Sequence, residues 1–254
     1  MKIFVENLNM TYPKGKRALQ NLSMEIESPS LIWILGPNGA GKSTFIRLLI
    51  GELLPTSGQI LVDDVPLTKN EKKLKANLGY LPQSFGLYDE LTVWQFLDYI
   101  AALKGIKNSR KVIKEVIEKT NLMDKQEAII STLSSGERQL IGVAQTLMGS
   151  PELLIFDEPT DGLDLEERIN FRNLLSQVAQ DKILLLSTKI IEDVQPACDR
   201  LIVIKYGQIL FNGTPEQLIA LAYNDAIVFE ERTSKPTLED AYMHLIMGKE
   251  VRKQ

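Results

Sequence analysis

Gly36-Pro37-Asn38-Gly39-Ala40-Gly41-Lys42-Ser43-Thr44 constrains the fold more than any other stretch of this chain. It follows the apolar run Leu31-Ile32-Trp33-Ile34-Leu35 and opens a segment of helical spacing over 42–50 that stops at Gly51. A strand joined to a helix by a Gly-x-x-x-x-Gly-Lys-Ser loop has few structural solutions. The glycines let backbone N–H groups converge on one point, and the helix N-terminus adds positive potential there. Such a loop is a cradle for phosphate on an α/β framework. In that chemistry Lys42 bridges the β- and γ-phosphates of a nucleotide and the Ser43 hydroxyl ligates Mg²⁺.

The rest of the chain fits that framework. Residues 2–7 read as a strand, and Leu22, Met24 and Ile26 alternate with polar neighbours as a second. Pro55-Thr56-Ser57-Gly58 is a turn before a strand at 59–62, and 78–81 is a short strand stopped by Pro82. From 91 to 120 the pattern becomes helical, with Leu91, Val93, Phe96, Leu97 and Ile100 on one face and charged residues on the other. Alternation then returns at 153–156, 165–179, 183–186, 190–194 and 201–204, the signature of a parallel α/β sheet. A helical insert over about 83–149 therefore interrupts an α/β core extending to 224. Residues 225–254 read as an appended strand at 226–231 and helix at 237–247.

The apolar run Leu153-Leu154-Ile155-Phe156 ends in Asp157-Glu158, placing two carboxylates at the sheet edge where α/β proteins bind ligands. Beside a phosphate loop, Asp157 is the candidate to hold Mg²⁺ through water and Glu158 to polarise the attacking water. Composition sets limits on partners. A net charge of -4 argues against a surface built for nucleic acid. No apolar run approaches the roughly 20 residues that span a bilayer. The first residues lack the pattern of a signal peptide, and Cys198 is the sole cysteine, so a reducing, cytoplasmic setting is expected.

Leu133-Ser134-Ser135-Gly136-Glu137 completes a set with the phosphate loop and the carboxylate strand. The chain resembles the nucleotide-binding subunit of an ATP-binding-cassette transporter from about residue 12 to about 213. The resemblance implies a P-loop NTPase (RecA-like) core sheet with an N-terminal antiparallel β-subdomain and an inserted α-helical subdomain. It also implies ATP and Mg²⁺ as cofactors, bound by Gly36, Asn38, Gly39, Gly41, Lys42, Ser43 and Thr44. Tyr12 matches the aromatic residue that stacks on adenine. Gln83 matches the glutamine that contacts Mg²⁺ and water and couples to the membrane partner. Ser134 and Gly136 match residues that bind the γ-phosphate on the opposite subunit, and Gly162-Leu163-Asp164 matches the loop that crosses between subunits. Implied partners are a second cassette subunit and a polytopic membrane permease, with the chain peripheral on the cytoplasmic face.

The chain departs from the family at Ser187-Thr188-Lys189, where Ser-Thr-His is usual. His244, the one histidine, lies in the C-terminal helical stretch and reads as structural. A neutral imidazole both accepts and donates a hydrogen bond, whereas a protonated lysine only donates. Lys189 can stabilise charge on the γ-phosphoryl group or grip the released phosphate and slow turnover. Ser135 replaces the usual first glycine of the signature pair, and Glu137 stands where Gln is common. Normal ATP binding with weak hydrolysis is the expectation. Pro236-Thr237-Leu238-Glu239-Asp240-Ala241 and Pro82-Gln83-Ser84-Phe85-Gly86-Leu87-Tyr88 resemble exporter cassettes and favour export. A cluster-assembly cassette and a binding-only ATP switch remain alternatives.

Overall fold

A computed structural model describes residues 1–194, 198–224 and 236–251. Two sheets organise it. The first is antiparallel, in the order β2(Arg17–Glu27), β1(Lys2–Thr11), β4(Ser57–Val62), β5(Val65–Pro66). The second has six strands, in the order β10(Gln208–Gly213), β9(Arg200–Lys205), β3(Ser30–Leu35), β8(Ile183–Thr188), β7(Leu153–Asp157), β6(Leu78–Leu81). Its pairings are parallel except that of β10 with β9.

The period of two along each central strand explains how one sheet serves two cores. Leu31, Trp33 and Leu35 of β3 face the same side as Leu154, Phe156, Leu184, Leu186, Leu201 and Val203. That side is covered by α3(Val93–Leu103), α4(Ser109–Lys119), α5(Ser135–Leu147), α6(Leu165–Val178) and the α7(Pro215–Asn224) and α8(Leu238–Val251) pair. Ile32, Ile34, Leu153, Ile155, Ile183, Leu185, Ile202 and Ile204 face the other side. There they meet α1(Lys42–Leu49), Leu74 of α2(Leu67–Ala76) and the inner face of the antiparallel sheet. A strand buried on both faces must be apolar at every position, which is why 31–35 and 153–156 carry no polar residue.

The helical run of 91–120 divides into α3 and α4 at Gly105, which has φ +64°. Thr92 and Gln95 form a capping box that starts α3. Residues 190–194, expected to continue the alternation, make only a single 3₁₀ turn at Ile191–Asp193. Side-chain hydrogen bonds to Asp193, described below, hold that segment as a tight connection. The expected helix at 237–247 is present as α8, whereas the strand expected at 226–231 lies outside the described residues. Among the described residues no helix is long and apolar enough to cross a membrane.

Candidate functional site

The parallel strands end along one edge, and the chemistry sits there. Leu35 pairs with Thr188, Asp157 with Ser187, and Leu81 with Phe156. Along the edge this sets the phosphate loop after β3, Lys189 after β8, Asp157 and Glu158 at the end of β7, and Gln83 after β6. Lys42 and Lys189, 147 residues apart in sequence, and Gln83 and Lys189, 106 apart, thus come to line one edge through strand order alone.

The loop has almost no room for side chains. A Cβ on Gly36 would lie 2.2 Å from the Ile204 carbonyl oxygen, and Gly41 has φ +112° with the Ala18 carbonyl 2.6 Å from its Cβ position. Both conditions require glycine. Lys42, at the start of α1, is buried; its Nζ donates to the Gly36 carbonyl at 2.8 Å and lies 3.2 Å from Glu158 Oε1. Tyr12 hydroxyl and Thr44 Oγ1 are 3.2 Å apart, which ties the aromatic ring to the first turn of α1.

Glu158 is non-glycine and has φ +48°. L-residues seldom adopt that region, and they hold it where surrounding structure over-determines it. Here the Glu158 N–H donates to Ser187 Oγ at 3.0 Å and lies 3.1 Å from the Ser187 carbonyl. The turn brings its carboxylate back under the phosphate loop, buried to 8% exposure between two ammonium groups. Lys42 is at Oε1, and Lys189 Nζ is 3.3 Å from Oε2. Gln83 Nε2 donates to the same Oε2 at 3.5 Å.

Asp157 is equally buried, and its Oδ1 accepts from the Ser187 hydroxyl. No lysine or arginine among the described residues comes within ion-pairing distance of it. A buried carboxylate without a protein counter-ion calls for a cation. Together with the exposed Ser43 hydroxyl at the start of α1, it offers the hard oxygen donors Mg²⁺ takes. The residues present fit that ion.

One cavity of about 350 Å³ is lined by Tyr12, Asn38, Gly39, Gly41, Lys42, Ser43, Thr44, Gln83, Glu158 and Lys189. Ser134 and Gly136 line a separate cavity of about 380 Å³ between α5 and α6. Ser134 caps α5: its hydroxyl accepts from the Glu137 N–H at 3.2 Å, and its N–H donates to Glu137 Oε2 at 2.8 Å. Lys125, 2.9 Å away, and the Ser134 N–H hold the Glu137 carboxyl below the usual range. The signature residues are therefore a well-formed helix N-terminus away from the phosphate loop of their own chain.

Three polar residues of the edge escaped the sequence reading. Ser187 bonds both Asp157 and the Glu158 N–H. Asp161 pairs with Lys189 at 2.9 Å, and each raises the charged fraction of the other: the ammonium keeps the carboxyl below its usual range, and the carboxylate lifts the lysine. This pairing holds above the ordinary carboxylate range and is lost as pH falls through the lowered Asp161 value. Asp193, 1% exposed, accepts from Thr160 and from Thr188 at 3.3 Å, with Arg168 3.8 Å away. A Thr at the end of one strand and an Asp five residues on was the only available signal.

The ABC transporter family model matches residues 19–161, more than half of the chain. The chain belongs to the ABC transporter family. It is 33% identical over 209 residues to ABC transporter ATP-binding protein NatA of Bacillus subtilis, covering 81% of this chain and 85% of that one. Methionine import ATP-binding protein MetN of Carboxydothermus hydrogenoformans is 33% identical, covering 83% of this chain and 66% of its own length. Nod factor export ATP-binding protein I of Mesorhizobium japonicum is 34% identical, with 81% and 61% covered. Among solved structures, cbiO1 of Clostridium perfringens, part of the ABC transporter complex cbiONQ, aligns with TM-score 0.78 at 29% identity, covering 90% of this chain and 94% of that one. This ABC transporter subunit is an ATPase cassette: it binds and hydrolyses ATP, and subunits of this family pair with one another and with membrane permease components.

Proposed function

We propose that this ATPase subunit closes with a second cassette around two ATP molecules and drives a polytopic permease, in the direction of export, with turnover limited by Lys189. The observation that carries the reading is the division of the site. Phosphate loop, Asp157, Glu158, Gln83 and Lys189 share one sheet edge, while Ser134 and Gly136 stand apart as a capped helix end. A capped helix N-terminus that stands apart from the phosphate loop of its own chain is suited to the terminal phosphate bound by another.

Within the edge, Lys42 and the loop N–H groups take the β- and γ-phosphates. Ser43, Asp157 and Gln83 hold Mg²⁺, which when bound neutralises charge between those phosphates. Glu158 orients the attacking water and takes its proton, with Gln83 within reach of the same oxygen. Tyr12 presents its ring to adenine. Lys189 meets the γ-phosphate as a fixed donor: it stabilises the charge that develops but cannot accept a hydrogen bond from water.

The permease contact has a candidate in the insert, where Tyr88 and Tyr99 pack edge to face at 5.3 Å and remain partly exposed beside Leu103. Such an apolar patch fits a peripheral position on the cytoplasmic face. Export rests on the segments before α3 and α8. Part of the second has a local reason, since Thr237 and Asp240 cap α8 reciprocally.

Two measurements test this reading. Lys189→His, assayed at pH 7.5 where an unperturbed imidazole is mostly neutral, is expected to raise steady-state turnover about ten-fold, a modest share of general-base catalysis. Equal turnover of the two proteins counts against the limiting role of Lys189. Inside-out vesicles carrying the subunit and its permease are expected to accumulate substrate with ATP outside; accumulation only in right-side-out vesicles loaded with ATP would make it an importer.

A further inference from the structure

Asp161 has no part in holding nucleotide, yet its 2.9 Å contact to Lys189 is the shortest ion pair around Glu158. Its position is fixed rather than fortuitous. The Asp161 N–H donates to the Glu158 carbonyl at 3.2 Å, closing a turn that places the two carboxylates side by side. Thr160, just before it, and Thr188, just before Lys189, both donate to the buried Asp193. The two loops that carry the pair are thereby pinned to one carboxylate. Gln83 Nε2 also donates to Asp161 Oδ2, at 3.4 Å.

The charges at this edge then balance. Lys42 and Lys189 bring two positive charges, and Glu158 and Asp161 bring two negative ones, with Arg168 at longer range and Asp157 reserved for the metal. Without Asp161, Lys189 would turn wholly to Glu158 or to an arriving phosphate. We propose that Asp161 is the positioning residue of Lys189, holding its ammonium to one side and offsetting its charge so that it does not clamp the terminal phosphate. The proposal rests on the nucleotide site described above and adds a partner that makes a lysine workable at this position.

Equilibrium binding of ADP and of a non-hydrolysable ATP analogue, both with Mg²⁺, tests it without requiring turnover. Asp161→Asn is expected to raise the preference for the triphosphate over ADP about three- to five-fold, the upper end of what a pair this exposed contributes. Asp161→Glu should keep the wild-type preference. In a Lys189→Met background the Asp161→Asn step should leave the preference unchanged, because the cation it restrains is gone. A general loosening of the loop would not favour the longer nucleotide. An unchanged or reduced preference in Asp161→Asn, or the same increase with and without Lys189, overturns the proposal while the nucleotide site stands. Failure of the unmodified chain to bind either nucleotide overturns both.

Discussion

Glu158→Gln is expected to lower steady-state ATP turnover by about 10²–10⁴-fold, the usual contribution of a positioned general base. The substitution is isosteric, so the turn at φ +48° and its hydrogen bonds to Ser187 have no reason to change. What changes is charge. Lys42 and Lys189 lose the carboxylate that lies 3.2 and 3.3 Å from them and become available to phosphate. ATP affinity should therefore hold or increase while chemistry stops, and ATP-dependent dimers should persist in light scattering. A fall of less than about ten-fold would remove Glu158 as the base and leave water activation to the metal or the phosphate itself. No turnover in either protein, with ATP-dependent dimers in both, would mark the chain as a binding switch or as the weaker half of an unequal pair.

The positions of Lys42, Asp157 and Glu158 were legible because each depends on local pattern. An apolar run too short for a helix and bounded by glycine or acid is a buried strand, and its last residue must lie at a sheet edge. The Ser134-x-x-Glu137 cap was equally open to reading, since its partners are three residues apart. What pattern could not give was pairing across the sheet. Lys189 and Asp161 are 28 residues apart, and nothing in either sequence neighbourhood names the other. The left-handed turn at Glu158 was hidden for a related reason: a glutamate does not advertise positive φ as a glycine does, and the Ser187 contacts that hold it come from another strand. Residues 190–194 misled because Ile190, Ile191 and Val194 have helical spacing, while the bonds converging on buried Asp193 keep them in one turn. A lone lysine in place of the usual histidine therefore read as a defect, although the fold supplies it with a counter-ion.

Lys42→Ala is expected to weaken ATP binding by about 10²-fold and to cost about 1–3 kcal/mol of stability, and the second effect shows how the site is held before nucleotide arrives. Each hydrogen bond from an ammonium to a charged acceptor contributes about 1.5–3 kcal/mol, and Lys42 is placed to offer two to the phosphates. Part of that is offset, because binding makes it give up the Gly36 carbonyl and Glu158. Breaking a buried pair from one side usually costs about 3–5 kcal/mol. The lower figure holds here because Lys189 remains at the other oxygen of Glu158. The two terms separate in a double variant. Removing the carboxylate as well, in Lys42→Ala/Glu158→Gln, should return part of the lost stability but none of the affinity, since a buried charge left without its partner is the costly state. Denaturant unfolding and nucleotide titration of the unmodified protein, the two single variants and the double variant read this directly. If the double variant is less stable than the unmodified protein by the costs of Lys42→Ala and Glu158→Gln added together, Lys42 and Glu158 act independently, and the contact between them contributes nothing to holding the site in place.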